Sequence, residues 1–438
     1  MISLQLIRDD PDAVREAIAR KGEPPDAVDR LLAADARRRE LEADANDLRA
    51  ERNAGNRQLG ELMRTGQQDK ADEVKGRMAA LSQQIDALAV ELAQIDAAIE
   101  ADLLLVPNLP HASVPDGSSA TDNPIIRSWG EPAAAGSSTP HWEIGERLGL
   151  FDLERGAKIS GSGFILYTGA GARLQRALIG LMLELAEGHG YREVWSPILV
   201  NAASARGTGQ LPDKEGQMYV VERDDLYLIP TAEVPVTNLY RDEILPVRDL
   251  PIFHAAYTPC FRREAGAAGK DTRGLLRVHQ FDKVEMVKFV RPETSWDELE
   301  SLTRDAEEVL EALELPYRTV ERCTADLGFA QAKGYDLEAW SPGVGKWLEV
   351  SSCSNYTDFQ ARRMNLRYRA AADSRTELLH TLNGSALGMS RTYAALLETH
   401  LQPDGSIRIP AALQPHFGSA EIRSRSRSQR ARSAPRGA

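Results

Sequence analysis

The stretch PCFRREAGAAGKDTRGLLRVHQFDKVEMVKF (residues 259–289) decides the fold. It holds four arginines, three lysines and two glutamates, yet beyond its central loop it alternates like a half-buried strand. Arg277, His279, Phe281, Lys283 and Glu285 share one side-chain face at period two, and Val278, Val284 and Met286 lie on the other. Two such arms around a Gly/Ala loop predict an antiparallel hairpin, with Arg262 and Glu264 on one face of its first arm. A face that sets a flat ring among fixed ions suits a stacked base and its phosphates.

From about His141 onward the chain reads as a mixed domain. A helical stretch, ARLQRALIGLMLELAEGHG (172–190), precedes short β-like runs such as REVWSPILV, QMYVV and LYLIP. Strands outnumber helices and no βαβ rhythm appears, so the prediction is α+β, an antiparallel sheet flanked by helices. The common nucleotide motifs are excluded. In GAAGKDT (266–272) only two residues separate the glycines and Asp271 follows the lysine, which is not a P-loop, and neither SGSGF nor TGAGARL completes GxGxxG. Phosphates would have to be held by side chains. Arg262 and Arg391, the latter opening a helix in LNGSALGMSRTYAALLE (382–398), could clamp a triphosphate from both ends, or each could be an ordinary surface ion pair.

Upstream, Val74, Met78, Leu81, Ile85, Leu88, Leu92, Ile95 and Ile99 are spaced 4, 3, 4, 3, 4, 3, 4, a sustained a/d heptad pattern. Leu31, Ala34, Arg38, Leu41, Ala45, Leu48, Arg52, Gly55, Leu59 and Leu62 follow a similar period, and MRTGQQDKADE around Gly66 breaks it between them. The pattern predicts a long antiparallel two-helix coiled-coil arm over about 28–100, each helix roughly 50 Å long at 1.5 Å per residue. Arg37, Arg38, Arg39, Arg49, Arg52, Arg57 and Arg64 on the first helix suit an anionic partner; a dimerisation coiled coil is the other reading. Residues 106–140, dense in Pro, Gly and Ser, read as a linker, and the basic end 419–438 reads as a disordered tail.

At 438 residues with 27% charged and 42% hydrophobic residues, the chain is an ordinary globular composition of two domains. No run of apolar residues could span a membrane, and the acidic turn after MISLQLIR gives no signal-peptide core, so a cytoplasmic location is expected. Cys260, Cys323 and Cys353 are too few and too scattered for a disulfide framework or a CxxC metal site. A net charge of −12 excludes nonspecific nucleic-acid binding over the whole surface but leaves room for a local basic track.

The ordered segments GYREVWSPILV (190–200, with Pro197), FRREAGAAGKDTRG (261–274) and NGSALGMSRTYAALLE (383–398) resemble motifs 1, 2 and 3 of class II aminoacyl-tRNA synthetases. PTAEVPVTN, HQFDKVEMV and EVSSCSNYTDFQARR resemble the bacterial-type seryl-tRNA synthetase family in particular, and the similarity runs to about Gly418. The resemblance implies an N-terminal tRNA-binding domain (1–105), a class II catalytic domain (141–418) and a homodimer built through motif 1. It implies ATP and Mg2+, L-serine, tRNA(Ser) and by family habit tRNA(Sec), with no DNA and no membrane partner. Arg262 would hold the ATP α-phosphate and Arg391 the γ-phosphate, as the two catalytic residues. Arg263, Glu264, Val278, Phe281, Glu349, Val350, Ser351 and Ser352 would complete the ATP site, Glu349 and Ser352 binding the metal. Thr231, Ala232, Glu233, Glu285 and Ser385 would frame serine.

Motif 3 departs from the family pattern NGSGLAxGR: Ala386 replaces a glycine, Gly388 an alanine, and Ser390 a glycine. A positive φ at 386 would strain the alanine by about 1 kcal/mol or more, and its methyl would crowd serine. That leaves two alternatives beside the housekeeping enzyme, a specialised or inhibitor-resistant paralogue and a non-catalytic RNA-binding paralogue.

Overall fold

The structure is a computed structural model and describes residues 1–214, 216–265, 273–371 and 373–424. The chain divides into two compact units, Met1–Leu109 and Pro110–Ala438.

The first unit is dominated by helices α1 (Asp26–Arg64) and α2 (Gln68–Leu105), joined across residues 65–67 with Gly66 at φ +72°. They run antiparallel, because contacts climb one helix while descending the other: Arg30–Asp102 at 3.2 Å, Arg37–Glu91 at 2.9 Å, Arg77–Gln58 at 3.4 Å. The heptad residues Val74, Met78, Leu81, Ile85 and Ile99 are buried in the seam, opposite Leu31, Leu41 and Ala45. At Gly55 a Cβ would lie 2.2 Å from Met78 Sδ, so the glycine lets the helices close there. One seam position differs from the period read in the sequence. Asp35 is buried, beside the predicted Ala34, and is neutralised by Arg8 Nε at 2.9 Å and Arg38 Nη2 at 3.3 Å. An arginine arriving from the short N-terminal helix Leu4–Asp9 could not be foreseen from the long helix's own pattern.

The second unit is built on an eight-stranded sheet of β1 (Ile125–Trp129), β2 (Arg192–Glu193), β3 (Ile252–Phe261), β4 (Gln280–Val290), β5 (Tyr317–Glu321), β6 (Lys333–Ser341), β7 (Lys346–Asn355) and β8 (His380–Gly388). The order across the sheet is β1-β5-β6-β7-β8-β4-β3-β2. Every neighbouring pair is antiparallel except β2 with β3. One face is covered by α3 (Ala170–Gly188), α4 (Ser295–Ala312) and α5 (Met389–Thr399). On α3 the buried Leu174, Ala177, Leu178 and Leu181 recur at helical spacing. They meet Val284 and Met286 of β4, Val350 and Cys353 of β7, and Leu382 and Ala386 of β8 in one core. No helix of the described residues is long and apolar enough to cross a membrane.

Three expectations change. The returning arm of the hairpin is a strand only from Gln280, where it pairs with Phe261, so Arg277 and His279 stand outside the ladder. The stretch 106–140 is not a connector throughout: β1 is an edge strand of the sheet, paired to β5, with both ends exposed and no apolar alternation to announce it. Residues 419–424 are not tail either, since Glu421–Ile422 pairs with Ile407–Arg408 and Ile422 is buried. The loop 266–272 and the basic segment 425–438 lie outside the described residues.

Phe289 is fully buried in a second cluster with Val287, Tyr368 and Leu379, edge-on to Tyr240 at 5.1 Å. Phe289→Ala is expected to lower the stability of this unit by about 3–5 kcal/mol. A urea titration should show the midpoint falling with little change of slope.

Candidate active site

The site grows out of irregularities in the middle of the sheet. Between β6 and β7 the pairing passes from Leu337↔Ser351 to Glu338↔Glu349, leaving Val350 as an extra residue; between β4 and β8 it passes from Val284↔Leu387 to Glu285↔Ser385, leaving Ala386 extra. Both extra side chains point into the apolar core, where each is at most 3% exposed. The bulges thereby set Ser385 opposite Glu285, with Ser385 Oγ donating to Glu285 Oε2 at 3.4 Å. The β7–β8 ladder runs from Asn355↔Leu382 to Cys353↔Gly384, and just past its end Ser351 Oγ donates to Ser385 O at 2.6 Å. The strain expected at Ala386 is absent: it lies in a strand, is not among the residues of positive φ, and turns its methyl to the core.

A cluster of buried polar side chains, the candidate amino-acid pocket, gathers around the second bulge. Thr231 accepts the Glu233 N–H at 3.2 Å, at the start of the short helix Glu233–Thr237, and Ala232 between them is fully buried. Glu233 and Glu285 are 6% and 1% exposed. Two carboxylates removed from water repel each other, so burial first, and Glu285 second, push Glu233 up to about 7, with Lys283 and Gln360 opposing. Gln360 Nε2 donates to Glu233 Oε1 at 2.7 Å. Lys283 pairs with Glu285 Oε2 and donates to Thr231 Oγ1 at 2.8 Å. Asn383, also buried, accepts from the Tyr356 hydroxyl at 3.2 Å. Lys283, Gln360 and Asn383 were not among the site residues expected from sequence; only Lys283 carried a signal, its place on the charged face of the hairpin.

Beside the pocket lies a cationic ledge. The Arg262 guanidinium sits over the Phe281 ring at 5.1 Å and its Nε donates to Pro230 O at 3.4 Å. The hairpin stem is closed by the Arg262 N–H donating to His279 O at 2.9 Å. Glu264, at φ +50°, accepts from Arg277 at 3.1 Å. Val278 is buried, while Arg263 is exposed and donates its backbone N–H to Gln217 O at 2.9 Å. Arg391 reaches the same ledge from α5, Nε donating to Leu276 O at 3.2 Å and Nη1 to Glu349 O at 2.9 Å. Arg262 and Arg391 are therefore both tied to the segment 276–281. Ser352 Oγ accepts from Arg322 at 3.4 Å, opposite Asp336 in register. Burial and then Glu349 raise Asp336 to about 7.

The ledge has an anchor that the sequence did not disclose. Glu398, at the end of α5, accepts from the His141 N–H at 2.9 Å, from His141 Nδ1 at 2.7 Å, from Ser341 and from the Gly343 N–H at 2.9 Å. His141 Nε2 in turn accepts the Leu275 N–H at 3.1 Å, so its proton resides on Nδ1. A helix that supplies Arg391 near its start thus holds the residue before Leu276 through its other end.

This architecture, with arginines and a bulged antiparallel sheet in place of a phosphate loop, defines a class II aminoacyl-tRNA synthetase. The family model described as tRNA synthetase class II core domain (G, H, P, S and T) matches residues 219–400, and that for the seryl-tRNA synthetase N-terminal domain matches residues 1–110. A serine–tRNA ligase of Gemmatimonas aurantiaca is 53% identical over 427 residues, 96% of this chain and 100% of the relative. The seryl-tRNA synthetase of Pyrococcus horikoshii complexed with ATP superposes with a TM-score of 0.93 at 38% identity, covering 97% of this chain and 100% of its own. The cytoplasmic serine–tRNA ligase of Naegleria fowleri in complex with AMP gives 0.87 at 26%, covering 97% and 99%. The chain belongs to the seryl-tRNA synthetase family.

Burial opposes ionisation of Glu398, but hydrogen bonds from His141 and Ser341 outweigh it and hold the carboxyl below its ordinary range. Its stabilisation is therefore complete above the unfolded value, near 4.3, and is lost as pH falls through the lower folded value. Glu398→Gln is expected to cost about 1.5–3 kcal/mol at pH 7. The gap from the parent protein, measured by urea unfolding, should hold down to about pH 5 and close in more acidic buffer.

Proposed function

We propose that this chain activates L-serine with ATP and transfers it to the 3′ end of tRNA(Ser), and to tRNA(Sec). The observation that carries this reading is a buried, net-acidic pocket of Thr231, Glu233, Glu285 and Ser385 next to the Arg262–Phe281 ledge. The amino acid's carboxylate attacks the α-phosphorus, a carboxylate–phosphorus bond forms, the bond to the bridging oxygen breaks, and pyrophosphate leaves. The terminal ribose hydroxyl of the tRNA then attacks the acyl carbon and AMP departs. Both reactants of the first step are anions, so the work falls on charge neutralisation and in-line placement, and no side-chain nucleophile is required.

In this reading Arg262 meets the α-phosphate and the serine carboxylate, Phe281 stacks on adenine, Val278 meets the base edge through its backbone, and Glu264 and Arg263 flank the nucleotide. Val350 and Ser351 line the same strand, and Arg391 meets the γ-phosphate. Thr231, Ala232 and Glu233 take the ammonium end of serine, while Glu285 and Ser385 take its hydroxyl. A pocket with these buried partners leaves them unpaired against alanine, which is worth about 10⁴-fold in discrimination. The residues also fit Mg2+. Glu349 offers an exposed carboxylate and Ser352 a hydroxyl; Asp336 nearby holds a buried Oδ1 with no hydrogen-bond partner among the described residues. Hard oxygen donors with only one or two carboxylates suit a cation that keeps phosphates among its ligands. When bound, the ion supplies further neutralisation of the triphosphate.

The arm supplies the tRNA grip. Arg37 and Arg38 are engaged with acids, whereas Arg39, Arg49, Arg52, Arg57 and Arg64 make no ion pair among the described residues. Guanidiniums along a rigid rod suit RNA shape and phosphate more than base readout. Motif 1, where Trp195 is 80% exposed and Leu199 41%, supplies the interface of a cytoplasmic homodimer. Of the departures behind the specialised-paralogue reading, the strain at Ala386 is absent, while Gly388 and Ser390 still differ from the family pattern.

Pyrophosphate exchange into ATP should depend on serine and be weak with threonine, alanine and glycine; equal rates across the panel would sink the reading. Arg262→Ala is expected to lower exchange by about 10²–10³-fold. Removing residues 31–99 should leave exchange intact and abolish tRNA charging, and charging that persists at low tRNA concentration would show the arm misassigned.

A further inference from the structure

Lys283 has no part in the chemistry above, yet it is the cation buried among the pocket's carboxylates. It is 6% exposed on β4, two residues before Glu285, and in register with Thr258 of β3 and Gly388 of β8. Its ammonium touches Glu285 Oε2 and lies 2.8 Å from Thr231 Oγ1, so one group spans the strand that carries Glu285 and the turn that carries Glu233. The other titratable groups around the pair are the Cys260 thiol on β3, the Cys353 thiol on β7 and the Tyr356 phenol, each pushed up chiefly by burial and each neutral at physiological pH. Gln360, Asn383 and Ser385 complete the lining without charge.

Two buried carboxylates without a counterion would take up a proton, and a protonated carboxyl is a poor partner for an ammonium. With Lys283 present the three charges sum to one net negative, which one amino-acid ammonium balances. We propose that Lys283 is a positioning residue for the amino-acid substrate: it is the fixed counterion that favours the ionised form of Glu233 toward the incoming ammonium and holds Glu285 in place for the hydroxyl. This rests on the serine-activating reading of the same pocket. Lys283 stays in place through the reaction and exchanges no proton with the substrate.

The geometry has a signature in the pH dependence of KM for serine. An ammonium prefers ionised Glu233, so KM falls as pH rises through that group's value of about 7. Removing the neighbouring cation moves the titration upward, since Lys283 is among the groups that hold it down.

The test is serine-dependent pyrophosphate exchange from pH 6 to 8.5 with the parent protein and with Lys283→Met, Lys283→Arg and Glu233→Gln. Lys283→Met is expected to raise KM for serine about tenfold or more at pH 7, to shift the inflection to higher pH, and to leave KM for ATP unchanged. Lys283→Arg restores the inflection because it restores the charge. Glu233→Gln abolishes the inflection, and adding Lys283→Met to it costs less than Lys283→Met alone. An inflection in Lys283→Met that coincides with the parent's overturns the proposal. So does a shared rise in both KM values that arginine does not rescue, which is the mark of a packing role. If Lys283→Met does not fold, recovery of folding in the double variant with Glu233→Gln supports the charge argument, and failure of both overturns it. A parent protein with no serine-dependent exchange would instead refute the function proposed above.

Discussion

Putting two carboxylates and a lysine inside a protein is costly unless the charges are held against one another, and in the catalytic unit that demand organises much of what surrounds the pocket. Glu285 can be buried because Lys283 shares its strand and because the bulge at Ala386 brings Ser385 opposite it. Glu233 can be buried because Gln360 meets its oxygen and Thr231 fixes its backbone. The same bulges that aim these polar groups toward the pocket send Val350 and Ala386 the other way, into the core beneath α3, α4 and α5. A regular ladder could not do both at once, since period-two alternation would carry the extra residue to the pocket face and reverse every side chain beyond it.

This explains what the sequence disclosed and what it hid. Charge and an aromatic at period two on Phe281, Lys283 and Glu285 were enough to announce an antiparallel hairpin with a partly charged face, because the pairing with β3 really is unbroken from Gln280 onward. The heptads were as plain, since hydrophobic periodicity and a glycine turn are local properties of the chain. The bulges were invisible: nothing in EVSSC or GSALG distinguishes a regular strand from one with an extra residue, and only the partner strand defines the irregularity. Ala386 looked like an intrusion for this reason. β1 was hidden differently, because an edge strand with exposed ends is made by backbone pairing to β5 and by Arg127 reaching Glu307 at 2.7 Å, neither of which leaves an apolar pattern.

The residues missed at the site share a further property. His141 and Glu398 are 257 positions apart and meet in a place where neither has any exposed surface. Each alone reads as a helix residue of no particular note. Together they form a charge-assisted bridge whose far end is the Leu275 N–H, one residue before the carbonyl that receives Arg391. Long-range polar contacts of this kind carry no sequence periodicity, so neither the local pattern nor the family motifs pointed to them.

The two units present their arginines in physically different settings. On the arm the arginines stand on helix surface, where charge is screened within about 10 Å and each contact contributes little alone, so the grip proposed for it would depend on several of them along the helix. In the catalytic unit Arg262 and Arg391 are half-buried and fixed by the protein's own carbonyl acceptors at Pro230, Leu276 and Glu349. Guanidiniums oriented in advance need no reorganisation as charge moves from a carboxylate to a leaving pyrophosphate, which is where a preset electrostatic environment lowers a barrier most. On the proposed reading, salt should therefore weaken the arm's hold on RNA before it disturbs the nucleotide site, because the arm's charges are the more open to water and ions and the less held by fixed acceptors.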